Sequence, residues 1–384
     1  MKNNNNTRQR SVIFVSVVPG IGHIILGYRS RGINLFVFAI SMGLVLIWRW
    51  ERFLNVFYTK DVGAWVASAF IILSLVASEL FSIIDVKRLL LKHDDETYSK
   101  SPMRVALRRF KANHLAVASL YVIILFYILA ILAPIVAPYD PVAIDNVLGS
   151  RYHPPSTGHP FGTDELGRDL LSRALYGARV SLSVGFLATV IAISFGTVYG
   201  AAAGFFGRAI DNVLMRIVDV IISFPTTFLL LMLVGMFEAS VVAMVFILGL
   251  TSWTGTARFI RGEILSLKKR EFIDSARAIG LPNHLILIRH LIPNAMAPVL
   301  VSAALMVGGM IGAEAGLSFL GIGIRPPTPS WGNMMTGSKG VLMIAWWVAV
   351  FPGSLLAVTI LSFNLLADGL RDAMDPKTLM RRYV

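Results

Sequence analysis

Apolar residues in this chain fall in long runs separated by shorter polar stretches, a pattern unlike the alternation of strands or the single apolar stripe of a water-exposed helix. A membrane-crossing helix needs about 20 mainly apolar residues, because a hydrocarbon layer about 30 Å thick is traversed at about 1.5 Å per residue. Eight runs approach or reach that length, near 33–50, 64–84, 116–137, 180–206, 213–237, 241–253, 295–320 and 342–366. The chain is expected to be all-α and to cross a membrane many times. A further apolar stretch, 12–28, is interrupted by Pro19, Gly20, Gly22, His23 and Gly27.

Charge decides whether that first stretch crosses, since Lys and Arg in short loops stay on the cytoplasmic side. If it crossed, the segment 87–111, with Lys87, Arg88, Lys92, Arg104, Arg108, Arg109 and Lys111, would lie outside. If it lies in the interface or re-enters, that segment is cytoplasmic together with the N-terminus, Arg29 and Arg31. Eight spans with both termini inside follow. The loop 138–178 is then external, while the loop 258–294 and the tail with Arg371, Lys377, Arg381 and Arg382 are internal. Arg49, Arg52 and Lys60 fall on the outer side, against the rule.

Composition narrows the class. Apolar residues make up 55% of the 384 positions and charged residues 15%, more hydrophobic surface than a soluble core uses. The formal charge of +13 gathers between the apolar runs, which reads as membrane topology and excludes a nucleic-acid partner. Cysteine is absent, so disulfides, thiolate catalysis and Cys-based metal sites are excluded. The basic start, Met1–Arg10, is followed by no small-residue cleavage pattern, and no cleaved signal peptide is expected. The charged segment 87–102, with Asp94, Asp95 and Glu96, reads as a solvated linker. A boundary near residue 100 separates an accessory module, 1–100, with about two spans from a six-span core, 101–384. No internal repeat is visible.

The loop before the run at 295 carries the most chemistry. Phe272, Ala276 and Ile279 fall on one helical face, and Arg270, Asp274 and Arg277 on another. Gly280 suits the left-handed residue that ends a helix, and Pro282 blocks its continuation. Asn283 is expected to cap a second short helix that Pro293 closes. Helix, glycine turn and helix make a compact knob on the inner face, able to take force from a partner or to serve as a plain connector.

This knob resembles the conserved loop of binding-protein-dependent ABC permeases, written Glu-Ala-Ala, three variable residues, Gly. Here it reads Asp274-Ser275-Ala276-Arg277-Ala278-Ile279-Gly280, with Asp for Glu and Ser for Ala. The resemblance implies that Asp274, Ser275, Ala276, Arg277, Gly280 and Leu281 form the coupling loop that docks on an ATPase subunit. Other stretches are similar to the second membrane subunit of the oligopeptide, dipeptide and nickel permeases. They are His159-Pro-Phe-Gly-Thr-Asp164-Glu-Leu-Gly-Arg168-Asp169, Tyr176-Gly-Ala-Arg179, Glu314-Ala-Gly-Leu-Ser-Phe-Leu-Gly321, and Phe363-Asn364 through Asp375-Pro376. The likeness spans residues 103–384. It implies a type I ABC importer transmembrane domain in the cell membrane and membrane lipids around it. The implied partners are a second homologous permease subunit, two ABC ATPase subunits and an extracellular substrate-binding protein. No cofactor is expected on this chain; ATP and Mg belong to the ATPases. The cargo is expected to be a peptide, with nickel or a metal chelate as the alternative.

Several residues are read both ways. Glu314, a carboxylate at membrane depth, must face protein or water and is either a pathway or gate residue or a structural pair. Glu79 and Asp368 sit near span ends and read as solvated. His153, His159, Asp164 and Glu165 lack the spacing of a metal site. His284 and His290 read as loop residues. Trp331, Trp346 and Trp347 fit an interfacial aromatic belt, and the external loop is a candidate docking face for a binding protein. Residues 332–339 lack the Gly-Lys-Ser/Thr ending of a phosphate loop, and no catalytic set is present, so the chain is expected not to be an enzyme. An autonomous secondary transporter would need broken spans in repeated halves and paired membrane carboxylates. A scaffold would have no use for the knob.

Overall fold

A computed structural model describes residues 18–25, 28–55, 61–91, 102–144, 151–237 and 240–374. Met1–Arg10, the linker acids Asp94, Asp95 and Glu96, Lys60, and tail residues Lys377, Arg381 and Arg382 lie outside the described residues. Contacts divide the chain into two compact units, Met1–Lys100 with Ile131–Ala137, and Ser101–Ala130 with Pro138–Val384.

The first unit holds α1 (Ile21–Ile25), α2 (Arg29–Trp48), α3 (Trp50–Asn55) and α4 (Val62–Leu91). Helices α2 and α4 each carry a span-length apolar stretch with few charges. Of the stretch 12–28, residues 18–20 form a turn and α1 has only five residues, too short to cross. Polar contacts tie α1 to α4: the Gly20 amide donates to Ser82 Oγ at 3.3 Å, and His23 Nε2 lies 3.0 Å from Asp85 Oδ2. Arg31 reaches the same carboxylate at 3.2 Å. Arg49 and Arg52, the residues at odds with the charge rule, donate to the carbonyls of Val136 and Ala137, at the helix end that belongs to this same unit. Those carbonyls have no partner within their own helix, and cations suit that end of a helix dipole. Burial, then the neighbouring charge of Arg52, pushes the Arg49 pKa down.

The second unit is built on α5 (Pro102–Ala112), α6 (His114–Val136, up to Ala130), α7 (Leu170–Phe206), α8 (Arg208–Ser223), α9 (Thr226–Met236) and α10 (Val241–Leu267). It continues through α11 (Glu271–Ala278), α12 (Ile292–Phe319), α13 (Trp331–Thr336) and α14 (Trp347–Met374). Among the described residues seven helices are long and apolar enough to span, and α8 with α9 makes an eighth if the bent pair is one span. The run 213–237 is therefore not one straight helix. It breaks at Phe224–Pro225, where α8 and α9 meet at 82°. Pro225 lacks the N–H that would continue the ladder and disfavours α geometry at Phe224, which is extended at φ −83°, ψ 130°.

Helices α7 and α10 form the seam of this unit. Gly196, Gly200 and Gly204 recur every four residues along one face of α7, and a Cβ on Gly200 would overlap the backbone of Ala257. Small residues at this spacing let two helix backbones approach where hydrocarbon supplies no hydrophobic drive. Three buried clusters follow one another along α7. The first joins α6, α7 and α14 around Trp331 and Trp347, and the second joins α7, α10 and α12 around Met244 and Leu248. The third, at the end toward α11, gathers Phe205, Ile260, Ile264, Ile273, Ile286, Leu291 and Val299.

Candidate functional site

Helix α11 rests on the third cluster. Ile273 and Ala276, three residues apart, are fully or almost fully buried and point into it, and Leu281 packs beside them. This corrects the face read from sequence: Ala276 is buried, but Phe272 is 42% and Ile279 78% exposed. The base of the knob is set by Ile273, and Phe272 and Ile279, seven residues apart, face outward together. Asp274 and Arg277 also lie on the outer side, 3.6 Å apart and exposed, a geometry that contributes little stability. Ser275 is exposed and turns its hydroxyl back to the Glu271 carbonyl at 3.0 Å. Alanine at 276 is what the packing allows, because a larger side chain would lift the helix off its base.

The glycine stop has a defined geometry. Gly280 sits at φ +79°. Its amide donates to the Arg277 carbonyl at 2.9 Å, and the Leu281 amide donates to the Ala276 carbonyl at 3.1 Å. These are the paired bonds of a Schellman ending, in which the left-handed residue carries a steric cost for any side chain. Leu281 completes it by packing into the cluster.

Beyond the stop the structure departs from expectation. Asn283 does not cap a separate helix. Pro282 is the residue before the turn, and its carbonyl accepts from the Leu285 and Ile286 amides. A π-helical segment, Ile286–Leu291, then runs without a break into α12, with Pro293 in its first turn. The wider π turn accommodates the missing amide and the ring of Pro293 that would clash in a regular helix. His284 and His290 lie on this connection.

Lys268, just past α10, locks the base from the other side. Its ammonium donates to the carbonyls of Gly204 and Phe205 at 3.3 and 3.0 Å, satisfying the open end of α7. Burial, followed by the charge of Arg277, lowers its pKa. The ends of α7, α10 and α12 thus meet α11 in one block.

Glu314 lies elsewhere, on α12, with 0% exposure. Ser181 and Ser318 donate to its two oxygens at 2.9 and 2.7 Å. Ser181 in turn accepts from the Trp331 amide, and Ser318 from the Ile324 amide. Glu314 has no open surface in this chain, and through these bonds it ties α7, α12 and α13 together.

The residues whose role the sequence did not reveal sit at the opposite end of α7. Asp164 Oδ2 pairs with Arg168 Nε at 2.7 Å and Arg173 Nε at 3.3 Å, while its Oδ1 accepts the Leu166 and Arg168 amides. Asp169 caps α7 through the Ser172 amide and hydroxyl, both at 2.7 Å, and meets His159 Nδ1 at 2.9 Å. Trp331 and Trp347 are not belt residues: they are 1% and 5% exposed and donate to the Ala174 and Thr163 carbonyls. Of the three, Trp346 alone is exposed. Among the described residues no group of three or more His, Asp or Glu could hold a metal ion. Asp164 and Arg168 lie in the turns before α7 and only Arg173 on the helix, so no helical spacing announced the cluster. A cavity of about 170 Å³ beside them is smaller than typical ligand pockets.

Residues 196–380 match the family described as binding-protein-dependent transport system inner membrane component, and residues 101–155 match the N-terminal transmembrane domain of oligopeptide transport permease C. The chain is 40% identical to the oligopeptide transport system permease protein OppC of Escherichia coli K12, over 73% of this chain and 93% of that protein. It is 38% identical to the dipeptide transport system permease protein DppC of Alkalihalophilus pseudofirmus, over 74% and 93%. A glutathione transport system permease protein, GsiD of Escherichia coli O6:K15:H31, is 40% identical over 72% and 91%. Identity of this order across nearly the full length of these relatives means that the chain, a multi-pass membrane protein with a type I ABC importer domain, belongs to the family of binding-protein-dependent transport system inner membrane components.

Proposed function

We propose that this chain forms half of a peptide translocation pathway in the cell membrane, beside a second homologous permease subunit. Two separate ABC ATPases bind ATP and Mg and drive it, and an extracellular binding protein delivers the cargo to the external loop 138–178. Both termini are cytoplasmic, which puts α11 on the side of the ATPases. The observation that carries this reading is the form of α11, an exposed surface of Phe272, Asp274, Arg277 and Ile279 on a buried base.

The mechanism follows from that base. A displacement of α11 by a closing ATPase pair cannot be absorbed locally, because Ile273 and Ala276 are packed among side chains of α7, α10 and α12. Close packing passes the motion to three spans at once. Repeated for both permeases, this alternates access to a cleft between them. The chain contributes the pathway and the lever, and the partners contribute hydrolysis. The named cargoes of the relatives, dipeptide, oligopeptide and glutathione, favour a peptide over nickel.

Two measurements test the reading. A single cysteine placed at Ile279 should crosslink to the ATPase subunit in membranes and do so at a rate that changes with nucleotide; absence of any crosslink from positions 272, 275 and 279 would end the coupling assignment. Cells lacking the chain should lose uptake of labelled peptides and keep uptake of nickel, and the reverse result would reassign the cargo.

A further inference from the structure

Helix α8 divides into three sectors. Val218 is fully buried, with Met215 and Ile221 packed beside it against α7 and α10. A second face, Ile210, Val213, Ile217 and Val220, is apolar and exposed. The third is polar: Asn212, Arg216, Asp219 and Ser223, spaced by three or four residues, form a continuous exposed stripe. Asp219 Oδ1 meets Arg258 Nη2 of α10 at 2.6 Å, both side chains 48% exposed, and Asp211 below it binds Arg261 in two bonds of 2.5 and 2.6 Å.

Two facts exclude hydrocarbon in front of the stripe. Arg258 lies nine residues before the end of α10, about 14 Å along the helix axis. The loop read from sequence as starting at 258 is thus helical up to Leu267, within a helix of span length, and an exposed ion pair on such a span cannot face hydrocarbon. Independently, the break that follows the stripe leaves Ser223 through Phe228 exposed, and α9 starts with no side-chain cap on its first amides. Irregular backbone within a span is tolerated only against protein or a water-filled route.

We propose that the polar stripe of α8, the α8–α9 break and Arg258 line the aqueous route through the transporter, and that the Asp219–Arg258 pair sets its charge selectivity. Paired, the two charges cancel, so the wall presents no net sign to a passing peptide. Unpaired, either one would favour cargo of the opposite charge. This rests on the peptide-importer reading for its cargo but not for its geometry.

The chain has no cysteine, so single cysteines can be placed in the otherwise native sequence within the assembled transporter. With a membrane-impermeant thiol reagent applied to open membranes, cysteines at Asn212, Arg216, Ser223 and Thr227 should react at least about tenfold faster than those at Ile210, Val213, Ile217 and Val220, since the thiolate form that reacts requires water. Equal rates on the two faces, or an inert polar stripe, would overturn the lining assignment whatever the cargo is. Uptake of alanine tripeptides carrying one Lys or one Glu then tests selectivity. Asp219→Asn should shift the Lys-to-Glu uptake ratio at least about threefold toward Glu, and Arg258→Gln equally toward Lys, as one unscreened charge nearby implies. The exchange Asp219→Arg with Arg258→Asp should restore the ratio. An unmoved ratio, or both single variants moving it the same way, refutes the selectivity claim. If the unaltered transporter carries neither tripeptide while the labelling pattern holds, the cargo assignment fails and the lining stands.

Discussion

The two ends of α7 are built on opposite rules. At its start, Asp164, Arg168, Arg173, Asp169 and the indoles of Trp331 and Trp347 are buried and mutually satisfied. At its other end, α11 buries two side chains and offers the rest outward. Buried charges demand partners because an isolated charge out of water is heavily penalised, whereas exposed ones cost nothing to leave open. The first end is therefore sensitive in stability and the second in function.

The largest break in that contrast should come from Asp164→Ala. It leaves two buried guanidiniums uncompensated and is expected to cost about 3–5 kcal/mol, read as loss of folded protein in thermal unfolding in detergent. A variant that melts with the unaltered chain would remove the buried cluster from the argument. Next, Gly200→Leu forces α7 from α10 and should cost about 1–3 kcal/mol by the same measurement. Gly280→Ala should cost about 1 kcal/mol, because its left-handed backbone is retained at steric expense, and should also lower peptide-stimulated ATPase activity of the assembled transporter. The smallest stability change belongs to Ile279→Asp, within about 0.5 kcal/mol, as at other exposed positions. Its ATPase stimulation should nonetheless be lost. If Gly280→Ala and Ile279→Asp both leave stimulation intact, the knob carries no work and the contrast between the two ends dissolves.

Much of this was legible in the chain because bilayer thickness acts directly on sequence. Run length alone placed the spans, and Gly280 announced its turn because few other residues take that backbone. What stayed hidden depended on depth and register. Trp331 and Trp347 have the composition of interface residues, and only their bonds to Ala174 and Thr163 show them to be core. Face assignment in α11 went astray by one position, since Phe272 and Ile273 are adjacent and both apolar, and eight residues do not settle which turns inward. Glu314 could be priced from sequence but not paired, because Ser181 is 133 residues away. Pro225 was in plain view within the run 213–237; hydropathy averaged over it conceals a bend.

Helix α7 is uninterrupted for 37 residues, from the Asp169 cap to Gly207. At about 1.5 Å per residue it is a stiff rod of about 55 Å. Tilted about its midpoint, near the buried Ala188, such a rod converts about five degrees into roughly 2 Å of travel at each tip, in opposite directions. Opening at one membrane face would then be geometrically bound to closing at the other, with no hinge required in between.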